Sequence, residues 1–299
     1  MVLHGAGASF PAPLYKRWFD ELTHQGVGVK YASVGSGAGL QQLSYNLVDF
    51  AASDVPLKPA DVARERRGIV QFPMTAGALV VAYQHKGCDL KLSQEQLAGI
   101  FQGTITNYAA LGCGAKPIRL MVRADSSGTT ANLTAHLAAI SPSWKREVGT
   151  GKIVRWPVGT KAKGSEGVLD QLREVDGSLG VLEASMAIPP LQAASLTNGA
   201  GEVVAPTLNN QRAALASIDL GPDLSGRNPN PHTGYPLVTF SWILLPKTGN
   251  GQTNQETMKK VFGYGLSQPA QALAEEMGYV SLPPSIRVKS LAALATVQP

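Results

Sequence analysis

Along most of this chain, segments with helical hydrophobic spacing alternate with short β-rich runs, and that alternation restricts the fold more than any other feature. Leu14, Trp18 and Leu22 repeat at i, i+4, i+8, so residues 11–22 read as an amphipathic helix. Leu40, Leu43 and Leu47 mark a second helix, followed by a strand-like run at 49–52. Strands are expected at 78–83, 118–122, 178–182 and 236–245. Helices are expected around 97–101, 133–140, 168–175, 258–266 and 269–277. Such alternation predicts α/β lobes with mostly parallel sheets. A length of 299 residues is too great for one ordinary core and suits two lobes of roughly 100–150 residues each. The chain is expected to change lobe at His85-Lys86-Gly87 and within the Gly/Pro/Asn-rich stretch 221–236, which lacks apolar periodicity. The expected division is therefore 1–85 with 233–299 in one lobe and 86–232 in the other.

Composition excludes several classes. With 44% hydrophobic and 16% charged residues, the chain has the balance of a packed globular protein rather than a disordered one. No apolar run reaches the roughly 18 residues that a membrane span requires. No secretory signal is legible in Met1–Gly5, which says nothing of compartment. The formal net charge of +5 gives a mildly attractive field for anions. Lys and Arg are scattered and aromatic residues make up only 6%, so neither a basic stripe nor a stacking platform for nucleic acid stands out. Cys88 and Cys113 lack the spacing of a zinc site. They are either separate buried thiols or a disulfide closing a loop of about 25 residues, and the disulfide is the favoured reading.

The chemistry points to three small-residue loops, each opening a helix: Gly5-Ala-Gly-Ala-Ser-Phe-Pro11, Gly35-Ser-Gly-Ala-Gly39 and Arg123-Ala-Asp-Ser-Ser-Gly-Thr-Thr130. Helix N-termini present unsatisfied N–H groups and a partial positive charge, and small residues let an anion approach that backbone. Ser9 reads as an N-cap of the first helix, with Pro11 and Pro13 in its opening turn. Asp54 follows a strand end, where open α/β sheets place their ligands. A carboxylate beside an anion is repulsive unless the anion carries a proton to share. Phosphate near neutral pH does so and sulfate does not, so an acceptor-only Asp selects phosphate. Arg123 is the natural bidentate partner for phosphate oxygens, and Asp125 is placed to orient it.

The segments GAGASFPAPLYKRWFDEL, VGSGAGLQQ, VDFAASDVPL and RADSSGTT resemble, in order and spacing, the motifs of the periplasmic phosphate-binding proteins of bacterial phosphate ABC uptake systems, the PstS type. The likeness extends through Leu97–Gly103, Ser141–Lys145, Val148–Gly151, Trp156–Gly159 and Gly164–Gly167, and resumes weakly near Pro236. The resemblance implies a type II periplasmic solute-binding fold: two α/β lobes joined by two crossover strands, with the ligand in the cleft. It also implies a phosphate-binding set of Ala8, Ser9, Phe10, Ser36, Asp54, Arg123, Ser127, Gly128 and Thr129, with Asp125 pairing with Arg123. Implied too are a periplasmic or extracytoplasmic location, a membrane permease as partner, and a monomeric binding protein with no cofactor or metal. Ser9 stands where Thr is common, Ser126 where Gly is common, and Gly37 where some members carry a second Ser. Residues 199–231 depart most.

Catalysis is the weaker class. A P-loop, a GxSxG elbow and an HExxH helix are all missing from the sequence, and the five histidines do not cluster. The nearest alternative is a receptor for another tetrahedral oxyanion, arsenate or sulfate, or for an organic phosphate. Sulfate is disfavoured by Asp54.

Overall fold

The helix–strand alternation is realised as two contact-dense units in a computed structural model that describes residues 2–299. One unit comprises the chain up to Ala76, Asp219–Arg227 and Phe240–Pro299; the other comprises Gly77–Ile218 and Asn228–Thr239. Two long strands, Ile69–Tyr83 and Val238–Pro246, each run from one unit into the other along the chain. The short stretch Asp219–Arg227 returns to the first unit from the second.

In the first unit the strand order is Gly28–Ser33, Val2–Gly7, Phe50–Ser53, Val238–Pro246. The first three run parallel, and Val238–Pro246 lies antiparallel to Phe50–Ser53 with Trp242 opposite Ser53. Helix Ala12–His24 buries Leu14, Trp18 and Leu22, the stripe expected from its spacing, together with Tyr15 and Phe19. Phe50 sits at the centre of an aromatic cluster with Phe19, Tyr31 and Phe262. Gly5 is required beneath that ring, because a Cβ there would come within 2.1 Å of Phe50 Cζ.

The second unit has the strand order Ile69–Tyr83, Ser178–Glu183, Arg119–Arg123, Thr160–Ala162. The last three are mutually parallel, whereas Ile69–Tyr83 is antiparallel to Ser178–Glu183. In each unit the antiparallel member is a strand that runs on along the chain into the other unit. Helix Gln94–Gln102 shows why local sequence and structure agree here. Ser93 and Gln96 form a reciprocal capping box at its start, and Gly103 ends it with φ of 80°. Cys88 and Cys113 are joined as a disulfide, with Cα atoms 5.4 Å apart.

Two local readings are corrected. The second helix is Ser36–Ser44 and stops before Leu47, which is exposed; Asn46, with φ of 56°, turns the chain away. The strand expected at 78–83 is the end of a strand beginning at Ile69. Among elements without a clear sequence signal are helix Leu208–Leu215 and the C-terminal helix Pro284–Ala295.

Candidate functional site

In the first unit, three loops leave the C-terminal ends of three adjacent parallel strands. Val2–Gly7 leads into Ala8, Ser9 and Phe10; Gly28–Ser33 leads into the helix that starts at Ser36; Phe50–Ser53 leads into Asp54. Adjacent strand order therefore gathers all five residues at one sheet edge. All five are buried. The loops are tied to one another by main-chain bonds. The Val34 and Gly35 amides both donate to the Gly7 carbonyl, at 3.0 and 2.9 Å, and the Ala8 amide donates to Ala52 at 2.9 Å. The Asp54 amide donates to Ser36 Oγ at 3.3 Å.

Two tyrosines complete this frame from outside the loops. The Tyr31 hydroxyl donates to the Ala8 carbonyl at 2.7 Å, and the Tyr279 hydroxyl donates to the Phe10 carbonyl at 2.8 Å. Holding those carbonyls back fixes the peptide planes of the loop, and so the directions of its amides. The N-cap expectation for Ser9 is corrected: Pro11 occupies that position, no side chain caps the helix, and the Ser9 carbonyl accepts the Ala12 amide at 3.2 Å.

Asp54 is 1% exposed. Its Oδ1 accepts a hydrogen bond from Ser241 Oγ at 2.8 Å. The Tyr15 hydroxyl is buried close by without a well-aligned hydrogen-bond partner. Burial pushes its pKa well above the usual phenol range, and the negative charge of Asp54 acts in the same direction. The phenol therefore stays protonated beside the carboxylate.

In the second unit, Arg123 ends the strand Arg119–Arg123 and Ser127 caps the helix Gly128–Ile140, accepting the Thr130 amide at 3.1 Å. Arg123 is 6% exposed and held on three sides. Its Nε and one terminal nitrogen bond the two oxygens of Asp125 at 2.7 and 2.5 Å, and its other terminal nitrogen donates to Ser165 Oγ at 3.2 Å. The Trp156 indole donates to the Arg123 carbonyl at 3.1 Å. Asp125 also accepts the Gly164 amide at 3.0 Å. Burial raises the Asp125 pKa, but its hydrogen bonds and the Arg123 charge outweigh that and hold the group below the usual carboxylate value. Gly128 and Thr129 lie in the first turn of the helix, and the buried Thr129 hydroxyl has no hydrogen-bond partner.

Each unit thus presents small residues at a helix N-terminus beside one key charged group: a carboxylate in the first, a guanidinium neutralised on one edge in the second. No group of three or more His, Cys, Asp or Glu side chains among the described residues could hold a metal ion.

Residues 2–268 match the model of the PBP superfamily domain. The chain is 36% identical over 303 residues to the phosphate-binding protein PstS of Pasteurella multocida, covering 95% of this chain and 87% of that one. It belongs to the PstS family of phosphate-binding proteins. A second PstS, from Haemophilus influenzae, is 36% identical over 304 residues, covering 94% of this chain and 89% of the other. Solved structures share the fold. A putative phosphate ABC transporter substrate-binding protein from Clostridium perfringens, with bound phosphate, superposes with a TM-score of 0.71 at 14% identity, covering 95% of this chain and all of that one. A phosphate-binding protein from Stenotrophomonas maltophilia gives 0.77 at 20% identity, covering 98% and 93%.

Placing the chain in the PstS family leaves several neighbours of the candidate site that its motifs did not single out: Tyr15, Tyr31, Ser165, Ser241 and Tyr279. One of them had a readable signal. Ser241 is a small polar residue within the otherwise apolar run Phe240-Ser-Trp-Ile-Leu-Leu245, which has to find a partner once buried.

Proposed function

We propose that this chain binds inorganic phosphate reversibly, without chemical conversion, as the extracytoplasmic substrate-binding component of a phosphate ABC importer. The amides and hydroxyls of Ala8, Ser9, Phe10 and Ser36, with those of Ser127, Gly128 and Thr129, donate to phosphate oxygens. Arg123 supplies the charge-assisted donors, fixed in direction by Asp125. Asp54 accepts the proton that phosphate carries. The two units act as lobes that close on the anion, and the loaded form is handed to the membrane permease. Family membership with the Pasteurella and Haemophilus PstS proteins supports the assignment of ligand class.

The observation that carries the reading is the setting of Asp54. It is one buried carboxylate among neutral hydrogen-bonding groups, and an anion without a proton would face it acceptor to acceptor. Calorimetric titration of the purified chain with phosphate, arsenate and sulfate tests this. Phosphate is expected to bind tightly and sulfate not measurably. Sulfate binding that matches phosphate would overturn the proton-sharing account, and absence of binding by any of the three would overturn the receptor assignment.

A further inference from the structure

The strand Val238–Pro246 is buried along its whole length. Its register with Phe50–Ser53 sets Trp242 opposite Ser53, and Ser241 and Asp54 are the next residues beyond that pair. The pairing is more than proximity, because Ser241 Oγ donates to Asp54 Oδ1 at 2.8 Å and both side chains are buried. An apolar residue of similar size would suit this strand better, yet a hydroxyl stands where the neighbouring strand ends in a carboxylate.

We propose that Ser241 is a specificity-determining positioning residue, which acts through Asp54 and does not itself hold the anion. The inference rests on the reading of Asp54 as the group that accepts the phosphate proton. A hydroxyl donating to Oδ1 favours the ionised carboxylate over the protonated acid. It also fixes the rotation of the carboxylate about its own bond, and with it the direction of both oxygens. Both effects serve discrimination. A protonated Asp54 could offer a donor to an anion that brings no hydrogen, and sulfate would then be admitted; an Asp54 free to rotate would hold its acceptor less firmly on the shared proton. The groups facing this carboxylate within the unit reinforce the assignment. Ser36 receives the Asp54 amide, and Tyr15 is a phenol whose pKa burial and the Asp54 charge push up, so that it stays neutral. The Tyr279 hydroxyl is spent on the Phe10 carbonyl, and that of Tyr15 lies near Ser241 without hydrogen-bond geometry. Ser241 donates directly to Asp54 Oδ1.

The test measures phosphate and sulfate affinity by calorimetry for the unaltered chain and for Ser241→Ala, Ser241→Cys, Ser241→Thr, Asp54→Asn and the double variant Ser241→Ala/Asp54→Asn. Ser241→Ala and Ser241→Cys remove the strong donor, the second while keeping the volume. Each is expected to narrow the phosphate-to-sulfate preference by on the order of tenfold. Ser241→Thr, which keeps the hydroxyl, is expected to retain the preference. In the Asp54→Asn background the alanine change should leave the ratio where Asp54→Asn alone sets it. If Asp54→Asn itself leaves the ratio untouched, the proton-acceptor reading fails. If Asp54→Asn relaxes the ratio but the alanine and cysteine variants keep it, or weaken both anions in equal proportion, Ser241 is part of the packing only and the proposal is overturned.

Discussion

Gly39 lies so close to Gly7 that a Cβ on Gly39 would come within 2.4 Å of the Gly7 Cα and 2.5 Å of the Ala6 carbonyl oxygen. Those atoms are backbone and cannot swing aside. The contact seats the helix Ser36–Ser44 against the end of Val2–Gly7, and so sets Ser36 where its Oγ receives the Asp54 amide. Gly39→Ala is expected to destabilise the fold by about 1–3 kcal/mol through overpacking. The same change should weaken phosphate binding by shifting Ser36. Urea denaturation and calorimetry on one preparation check both. Unaltered binding would show that the close approach serves packing alone.

Gly263 is the opposite case. It lies within the helix Gln252–Gly265, and a Cβ there would meet nothing within 4 Å. Gly263→Ala is expected to stabilise the protein by about 0.5–1 kcal/mol, because alanine loses less backbone entropy on entering a helix. A rise in the urea midpoint with binding unchanged is the expected result. A fall would show that this position needs the conformational freedom of glycine.

The contrast between these glycines shows what the sequence carried. Gly5, Gly7, Gly35 and Gly39 cluster around the first two loops, so close backbone approach was legible there from composition alone. The helix stripes of Leu14, Trp18 and Leu22 and of Leu97, Ile100 and Phe101 were legible because burial repeats with the helical period. The partners of Asp54 and Arg123 were harder to read. Ser241 is 187 residues from Asp54 and Ser165 is 42 from Arg123, and only strand register brings such residues together. The start of the strand Ile69–Tyr83 was also hidden, because Gln71, Pro73 and Thr75 interrupt its apolar pattern. Gln71 is spent on a local bridge to both backbone groups of Leu57, a use that no periodicity announces.

The charged groups of the two units should separate cleanly in their effects. Asp54→Asn replaces an acceptor with a group that can also donate, so it is expected to weaken phosphate while admitting sulfate. Arg123→Ala removes charge-assisted donors and is expected to weaken every anion. A charge-assisted hydrogen bond is worth about 1.5–3 kcal/mol, on the order of 10–150-fold in affinity. Titration of each variant with phosphate and sulfate reads the difference. Equal losses for both anions in Asp54→Asn would remove selectivity from that carboxylate.

The disulfide between Cys88 and Cys113 spans a sequence separation of 25 residues. It holds a segment in which the Tyr83 hydroxyl donates to the Cys88 carbonyl at 2.8 Å and accepts the Leu90 amide at 3.1 Å. Closing a loop of that length restricts the unfolded chain by about 3 kcal/mol. Replacing both cysteines with alanine is expected to lower unfolding free energy by a similar amount and to leave phosphate affinity within about threefold of the original, because neither cysteine is among the residues assigned to the anion. Intact mass after alkylation, with and without reduction under denaturing conditions, checks the bond itself. Two alkylated thiols without reduction would show that it is not formed.

Asp125 links stability to pH with a sign that can be stated in advance. Its carboxylate is bound by Arg123 at two points and by the Gly164 amide, and it is held below the usual carboxylate pKa. A group whose pKa is lower folded than unfolded contributes stability above its unfolded value, about 3.9, and loses it as pH falls through the folded one. Asp125→Asn leaves the buried Arg123 without its counter-ion, so at pH 7 it should cost about 3 kcal/mol. Below the folded pKa the unaltered chain also carries a neutral side chain at this position, and the two proteins should converge. Urea denaturation of both between pH 7 and pH 3 measures the gap. A gap that persists unchanged to the acid end would mean that Asp125 acts through its shape and not through its charge, and Arg123 would then need another source of alignment.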